Sequence, residues 1–253
     1  MTDEEKLLFE KVRLDREQSV KTLNKVSMRG AMPRFVDMYS DQAHFIYELL
    51  QNADDAGATR ARFVLNSNEL LFAHNGTRHF SISDPMSEEI DSKHGDLGDV
   101  NAITSVGNSN KKYNTIGKFG IGFKAVFQYT NTPHIYDPNL NFKIERYIVP
   151  VLLDHDHKMR LADETLFVFP FDSETIGAKQ AEREIAEKLA ALIQPTLFLK
   201  NLMHVDYRHR TTRGYYSKKI KTSSSVNDIK VELLNMWQMN FGIDRKESLL
   251  QDI

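Results

Sequence analysis

Glu48, Asn52 and Asp55 are the residues of this chain best suited by type and spacing to do chemistry. They sit in Glu48-Leu49-Leu50-Gln51-Asn52-Ala53-Asp54-Asp55-Ala56-Gly57. On a helix, steps of about 100° per residue put Asn52 roughly 40° from Glu48 and Asp55 roughly 20° to its other side. A carboxylate able to take a proton, an amide oxygen able to bind a hard cation and a second carboxylate then share one stripe. Ile46, Leu50 and Ala53 fall opposite, toward a core. An ordinary amphipathic helix with its polar side in water has the same pattern.

A second stretch, Gly117-Lys118-Phe119-Gly120-Ile121-Gly122-Phe123-Lys124, has the spacing G-x-x-G-x-G. It is neither the dinucleotide pattern G-x-G-x-x-G nor a P-loop, since no Gly-Lys-Ser/Thr closes it. Glycines let backbone N–H groups approach an anion, and a helix beginning near Gly120 would turn its positive end toward that anion. The other reading is a loop that needs glycine only for φ > 0. Upstream, Ser109 and Lys111 lie in a small polar run that could close over phosphates or simply be solvated. Phe72-Ala73-His74-Asn75-Gly76 ends a strand in a turn, and Thr165 opens the apolar strand that runs to Pro170.

The elements that must position these groups follow from periodicity and punctuation. Residues 3–26 read as a charged helix with Leu7, Leu8, Val12, Leu14, Leu23 and Val26 as its apolar positions. A helix over about 42–56 has Asp41 as N-cap and Gly57 as C′ residue. A hairpin over 61–65 and 69–74 turns at Asn66-Ser67-Asn68. The long polar stretch from Ser81 to Thr115 reads as a lid or binding loop. Strands are expected near 133–136, 142–152, 165–171, 197–208, 214–221 and 228–234, and helices over 178–193 and from Asp244. Helices segregated from a mostly antiparallel sheet make the class α+β, a two-layer sandwich with helices on one face.

These motifs, in this order from about Tyr39 to Tyr207, resemble the GHKL ATPases: DNA gyrase, the heat-shock chaperone ATPases and the histidine kinases. The wording is most similar to the sacsin-type ATP-binding domains. The resemblance implies the Bergerat fold, ATP and Mg²⁺ as ligands, and slow hydrolysis coupled to lid closure. Glu48 matches the general base, Asn52 the Mg²⁺ ligand and Asp55 a nucleotide-holding polar position. Gly117, Lys118, Phe119, Gly120, Ile121, Gly122 and Phe123 match the phosphate loop, residues 97–116 the ATP lid, and Thr165 the threonine near adenine. The aspartate expected before Gly76 is replaced by Asn75, a neutral acceptor for the adenine amino group. The implied work is a conformational or chaperone-like cycle with ATP and ADP as ligands and fused domains or protein clients as partners. An ATP-dependent dimer is left open. The rival reading is a non-hydrolysing nucleotide sensor in a larger bacterial defence or nucleic-acid-processing protein.

Composition restricts the rest. The 253 residues are 41% hydrophobic and 10% aromatic with net charge −2, so no bulk electrostatic attraction to nucleic acid or membrane is built in. The absence of cysteine excludes disulfides, thiolate catalysis and cysteine zinc sites, and fits a cytoplasmic protein. No apolar run approaches the ~18 residues of a membrane span, and the charged start does not resemble a secretory signal. Residues 1–30 read as a helical arm that either binds a partner or lies across its own domain. Residues 31–210 read as the ATP-binding domain, and 211–253 as strands and the start of a helix that suits continuation into a longer protein. Asp154-His155-Asp156-His157 has metal-capable groups, but a solvated turn is the expectation. Lys200, Arg208, Arg210, Arg213, Lys218, Lys219 and Lys221 could contact nucleic acid, though a lysine-protected sheet edge is the better reading.

Overall fold

A computed structural model of the chain describes residues 1–26, 45–105, 121–222 and 229–240. Helix α1 (Asp3–Leu23) starts with a capping box, in which Thr2 Oγ1 accepts from the Glu5 amide and Glu5 accepts from the Thr2 amide. Its buried positions are Phe9, Val12, Arg16 and Val20, while Leu7 and Leu14 are exposed. The buried stripe is therefore rotated from the expected one, because an arginine occupies an inward position. Arg16 pairs with Glu88 and donates to Asn101 O and Thr104 Oγ1 at 3.4 Å each. Phe9 meets Phe142 edge-on, 6.0 Å between centroids, so α1 lies across its own domain.

Helix α2 (Phe45–Asp55) buries Ile46, Leu50 and Ala53, as its periodicity requires. It stops in a Schellman turn: Gly57 takes φ +77°, the Ala58 amide reaches Ala53 O and the Gly57 amide reaches Asp54 O, both at 2.9 Å. The expected N-cap, Asp41, lies outside the described residues. Strands β1 (Arg60–Leu65) and β2 (Glu69–His74) form the expected antiparallel hairpin.

The polar stretch after Ser81 is more ordered than a loop reading allows. It holds α3 (Glu88–His94) and α4 (Asp99–Ile103), and every residue of α4 is buried. Asp99 accepts from the amide and hydroxyl of Ser81, and Asn101 exchanges hydrogen bonds with the backbone of Ser83. Polar residues here satisfy one another inside the fold, so polarity does not signal exposure. Of the expected lid, residues 97–105 are thus anchored and 106–116 lie outside the described residues.

Helix α5 (Ile121–Lys124) leads through a 3₁₀ turn (Ala125–Gln128) to β3 (His134–Tyr136), β4 (Asn141–Glu145) and β5 (Val149–Leu152). The single strand expected over 142–152 is two strands. Arg146 and Tyr147 turn the chain at φ 50° and 71° with no glycine to announce it. Then come β6 (Thr165–Pro170), α6 (Ala178–Ala190), β7 (His204–His209), β8 (Thr212–Thr222) and β9 (Ile229–Asn240). Residues 197–203, expected to be strand, instead form a connection that buries Leu199 and Leu202. The helix expected from Asp244 lies outside the described residues.

The described strands form one sheet of nine, ordered β5-β4-β3-β6-β2-β1-β7-β8-β9, antiparallel except between β1 and β7. Alternation along β2 and β6 sends Leu70, Phe72, Phe167 and Phe169 into the core beneath the helices. Leu71, Ala73, Leu166 and Val168 go to the other face, with Tyr136. The β5–β6 connection is tied to that face: Arg62 binds Glu164 at 2.6 Å and Met159 O at 2.7 Å, and Tyr136 stands 5.2 Å from the His157 ring. The architecture is α+β, a two-layer sandwich. β8 and β9 continue the same sheet past residue 210, and Lys218 is buried with Nζ on Leu199 O. It therefore does not belong to a solvated basic edge.

Candidate functional site

Glu48 of the α2 stripe meets Gly122. Glu48, Asn52 and Asp55 project from α2, and α5 packs beside it. A Cβ on Gly122 would overlap the Glu48 carboxylate group, so glycine at this position is what lets Glu48 keep its place. Among the described residues no hydrogen bond or ion pair engages the Glu48 carboxylate.

Asn52 and Asp55 stand out in their bonding. Among the described residues, Asn52 Nδ2 and Asp55 Oδ2 are buried and have no hydrogen-bond partner. Buried polar atoms are almost always paired, so two such atoms on one helix face stand apart from the internal bonding of the fold. Rotating the Asn52 amide by 180° would present its oxygen at that position, the donor a hard divalent cation needs. Burial pushes the Asp55 carboxyl up to about 6; the hydrogen bond from Gln51 opposes this, and the negative charges of Asp54 and Glu48 add to it. Arg78 pulls the other way. A ligand that donates to Asp55 would relieve the same strain.

Asp54, one residue away, does different work. Its carboxylate accepts the backbone amides of Lys200, Asn201 and Leu202 at 2.9, 2.6 and 2.7 Å, fixing the connection into β7. Nothing in the sequence separates the two adjacent aspartates except the 100° turn between them.

The turn after β2 is built for packing. Asn75 Oδ1 accepts the amides of Thr59 and Arg60 at 3.0 and 2.8 Å, and Nδ2 donates to Thr59 Oγ1 at 3.0 Å. The oxygen expected to meet an adenine amino group thus already has two donors. Gly76 sits against Ala56, where a Cβ would come within 2.7 Å of the alanine methyl. Its amide donates to His74 Nδ1 at 3.1 Å, and burial pushes His74 down to about 3, so the ring is neutral with its proton on Nε2. Thr165 pairs with His74 across β2–β6, and its hydroxyl donates to Asp137 Oδ2 at 2.6 Å.

Phe123, expected to touch a ligand, is a core residue. Its ring lies 6.2 Å from each of Phe167 and Phe169. Ser109, Lys111, Gly117, Lys118, Phe119 and Gly120 lie outside the described residues, as does the side chain of Ile121. The structure therefore brings Gly122 to Glu48, on the helix that also carries Asn52 and Asp55, and sets Gly76 against Ala56 just past the end of α2, with Thr165 opposite His74.

Three further residues have roles that the sequence does not indicate. Asp137, followed by Pro138, reads as the end of a strand, yet its carboxylate is enclosed. Arg78 stands 3.5 Å from Asp99 Oδ1. Lys124 is buried with Nζ donating to Ile103 O and Tyr147 O at 2.7 and 2.8 Å, so one ammonium ties α5 to the end of α4 and to the β4–β5 turn. Elsewhere, His155 pairs with Asp154 and Arg160 with Asp156. Among the described residues no three His, Cys, Asp or Glu side chains gather as a metal site.

Residues 30–145, just under half of the chain, match the family model described as Sacsin domain. The chain is similar to sacsin-type proteins. The match covers α2, the hairpin, Gly122 and β3–β4, and it ends before Thr165. Protein NO VEIN of Arabidopsis thaliana is 29% identical over 203 residues, 68% of this chain and 7% of that protein. Human (Homo sapiens) Sacsin is 31% identical over 127 residues, 42% of this chain and 3% of that protein. The sacsin-like chain thus spans a small part of the length of these relatives. Among the described residues no helix is long and apolar enough to cross a membrane.

Proposed function

We propose that this sacsin-like chain is a GHKL-type module that binds ATP with Mg²⁺ and hydrolyses it slowly, with Glu48 as general base. The observation that carries the reading is the fit of Gly122 against Glu48 beside the unpartnered ends of Asn52 and Asp55. A carboxylate at this position, beside Gly122, supports the reading of Glu48 as the group that takes a proton from the attacking water. Asn52 would hold the cation. Bound Mg²⁺ supplies charge neutralisation at phosphate oxygens. Asp55 would accept from the nucleotide. In this reading the cycle drives a conformational or chaperone-like change in a larger cytoplasmic protein.

Calorimetry and a phosphate-release assay test this. Mg²⁺–ATP should bind the wild-type chain, and at 100 times Kd it should add about 2.7 kcal/mol of stability. Glu48→Ala should keep binding and lose release. Binding without any wild-type release would favour a nucleotide sensor, and no binding at all would end the nucleotide reading.

A further inference from the structure

On the sheet face turned away from the helices, Leu71, Ala73, Leu166 and Val168 are buried, and Leu153 of the β5–β6 connection packs against them. Tyr136 is buried in the same cluster, with three imidazoles around its ring: His157 at 5.2 Å between centroids, His134 at 6.2 Å and His155 at 6.3 Å. His157 is bound into the connection as a base. Its Nδ1 accepts the Met159 amide at 3.2 Å, and the Met159 carbonyl accepts Arg62 Nη2 of β1 at 2.7 Å. An imidazole nitrogen accepts only while it carries no proton. His134 Nδ1 lies 3.4 Å from the Tyr136 hydroxyl. Burial holds both imidazoles below the ordinary histidine range. At His157, Glu69 and Asp156 oppose this, while Lys158 and His155 add to it. Asp156 is itself paired with Arg160. At His134, Lys143, His155 and His157 add to the effect of burial, and Asp172 opposes it.

We propose that His157, seconded by His134, is a pH-sensitive latch that holds the β5–β6 connection on this sheet face while neutral and releases it when protonated. The latch is independent of the nucleotide reading. A proton arriving at His157 goes to Nδ1, so the Met159 amide loses its acceptor. Imidazolium charges then crowd one tyrosine, and each disfavours the next. An imidazole that resists protonation in the fold contributes stability that is fully present above the ordinary 6.5 and lost as pH falls below it. Arg62 keeps its 2.6 Å contact with Glu164, so the connection stays tethered at its β6 end while its first half lifts. Leu71, Ala73, Leu166 and Val168 are the apolar surface that this motion uncovers.

Amide hydrogen exchange on the full chain, corrected for the intrinsic pH dependence of exchange, reads the latch. Protection of the Met159 amide should fall by roughly fivefold or more between about pH 7.5 and about pH 5.5, the equivalent of one lost hydrogen bond. Binding of anilinonaphthalene sulfonate, which reports exposed apolar surface, should rise over the same interval. His157→Gln keeps an acceptor for the Met159 amide and never charges, so both readouts should stay flat. His155→Gln changes an exposed ring paired with Asp154 and should behave as wild type. Met159 protection that is flat in wild type, or that falls equally in His157→Gln, overturns the proposal. Proton NMR titration of the wild-type imidazoles decides without any variant: a His157 that titrates at or above the ordinary 6.5 overturns it, and one that titrates below supports it.

Discussion

Gly122 lies so close to the Glu48 carboxylate that a single methyl group on it would overlap the glutamate side chain. The contact joins two segments more than seventy positions apart in the sequence, and it gives the glycine a role beyond backbone freedom. Gly122→Ala should leave the fold intact, since the obstructing atoms are the end of a flexible side chain and alanine favours helix by up to ~1 kcal/mol. Glu48 would have to swing aside. Misplacing a reacting group by about 1 Å can cost on the order of a hundredfold in rate. Phosphate release should therefore drop by about that factor at unchanged or higher Tm; an unaltered rate would remove Glu48 from the role of base.

Adjacent aspartates should behave oppositely. Asp54→Ala strands three backbone amides and should destabilise the chain by about 3 kcal/mol or more, at about 1 kcal/mol or more for each lost partner. Asp55→Ala removes a carboxyl whose Oδ2 has no partner among the described residues. It should leave stability near wild type or raise it while weakening Mg²⁺–ATP. Urea melts and calorimetry on both variants check the contrast.

Asn75→Ala should act on stability more than on recognition. Loss of the acceptor for Thr59 and Arg60 costs about 1–3 kcal/mol. With its oxygen already engaged, ATP affinity should change by less than threefold or so, well under the tenfold that 1.4 kcal/mol represents. A large affinity loss at unchanged Tm would return Asn75 to the role of base reader.

Lys124 makes stability pH-dependent. Burial, with the Arg16 charge adding to it, pushes its ammonium down to about 7 from the ordinary 10.5. Between those values the unfolded chain holds a proton that the folded chain has released, so raising the pH favours folding. The contribution is fully present above about 10.5 and is lost as pH falls through about 7. A neutral amine still has two N–H groups for the Ile103 and Tyr147 carbonyls. The stability gap between wild type and Lys124→Met should therefore widen from pH 6.5 to pH 9 or so in denaturant melts. A gap that stays flat or narrows contradicts the buried-lysine account.

Much of this was legible in the chain itself. The period of α2, its Gly57 stop, the β1–β2 hairpin and the class of the fold follow from local patterning, because burial on one side imposes a period that residues within one element must obey. The Glu48–Asn52–Asp55 stripe is of the same kind. The division of 142–152 into two strands escaped because Arg146 and Tyr147 accept positive φ without the usual turn residues, held in part by Lys124 on the Tyr147 carbonyl. The anchoring of α4 escaped because Asp99 and Asn101 are satisfied by Ser81 and Ser83, partners some eighteen residues away.

Sequence alone determined which side chains share a helix face and which glycines could admit an anion. Only the tertiary structure decided that Gly122 abuts Glu48, that Asp54 supports the fold while Asp55 Oδ2 has no partner among the described residues, and that the Thr165 proton goes to Asp137. The reason is physical. A helix period is set by neighbours along the chain, whereas a hydrogen-bond partner across the core is set by how distant segments pack, and no local pattern carries that information.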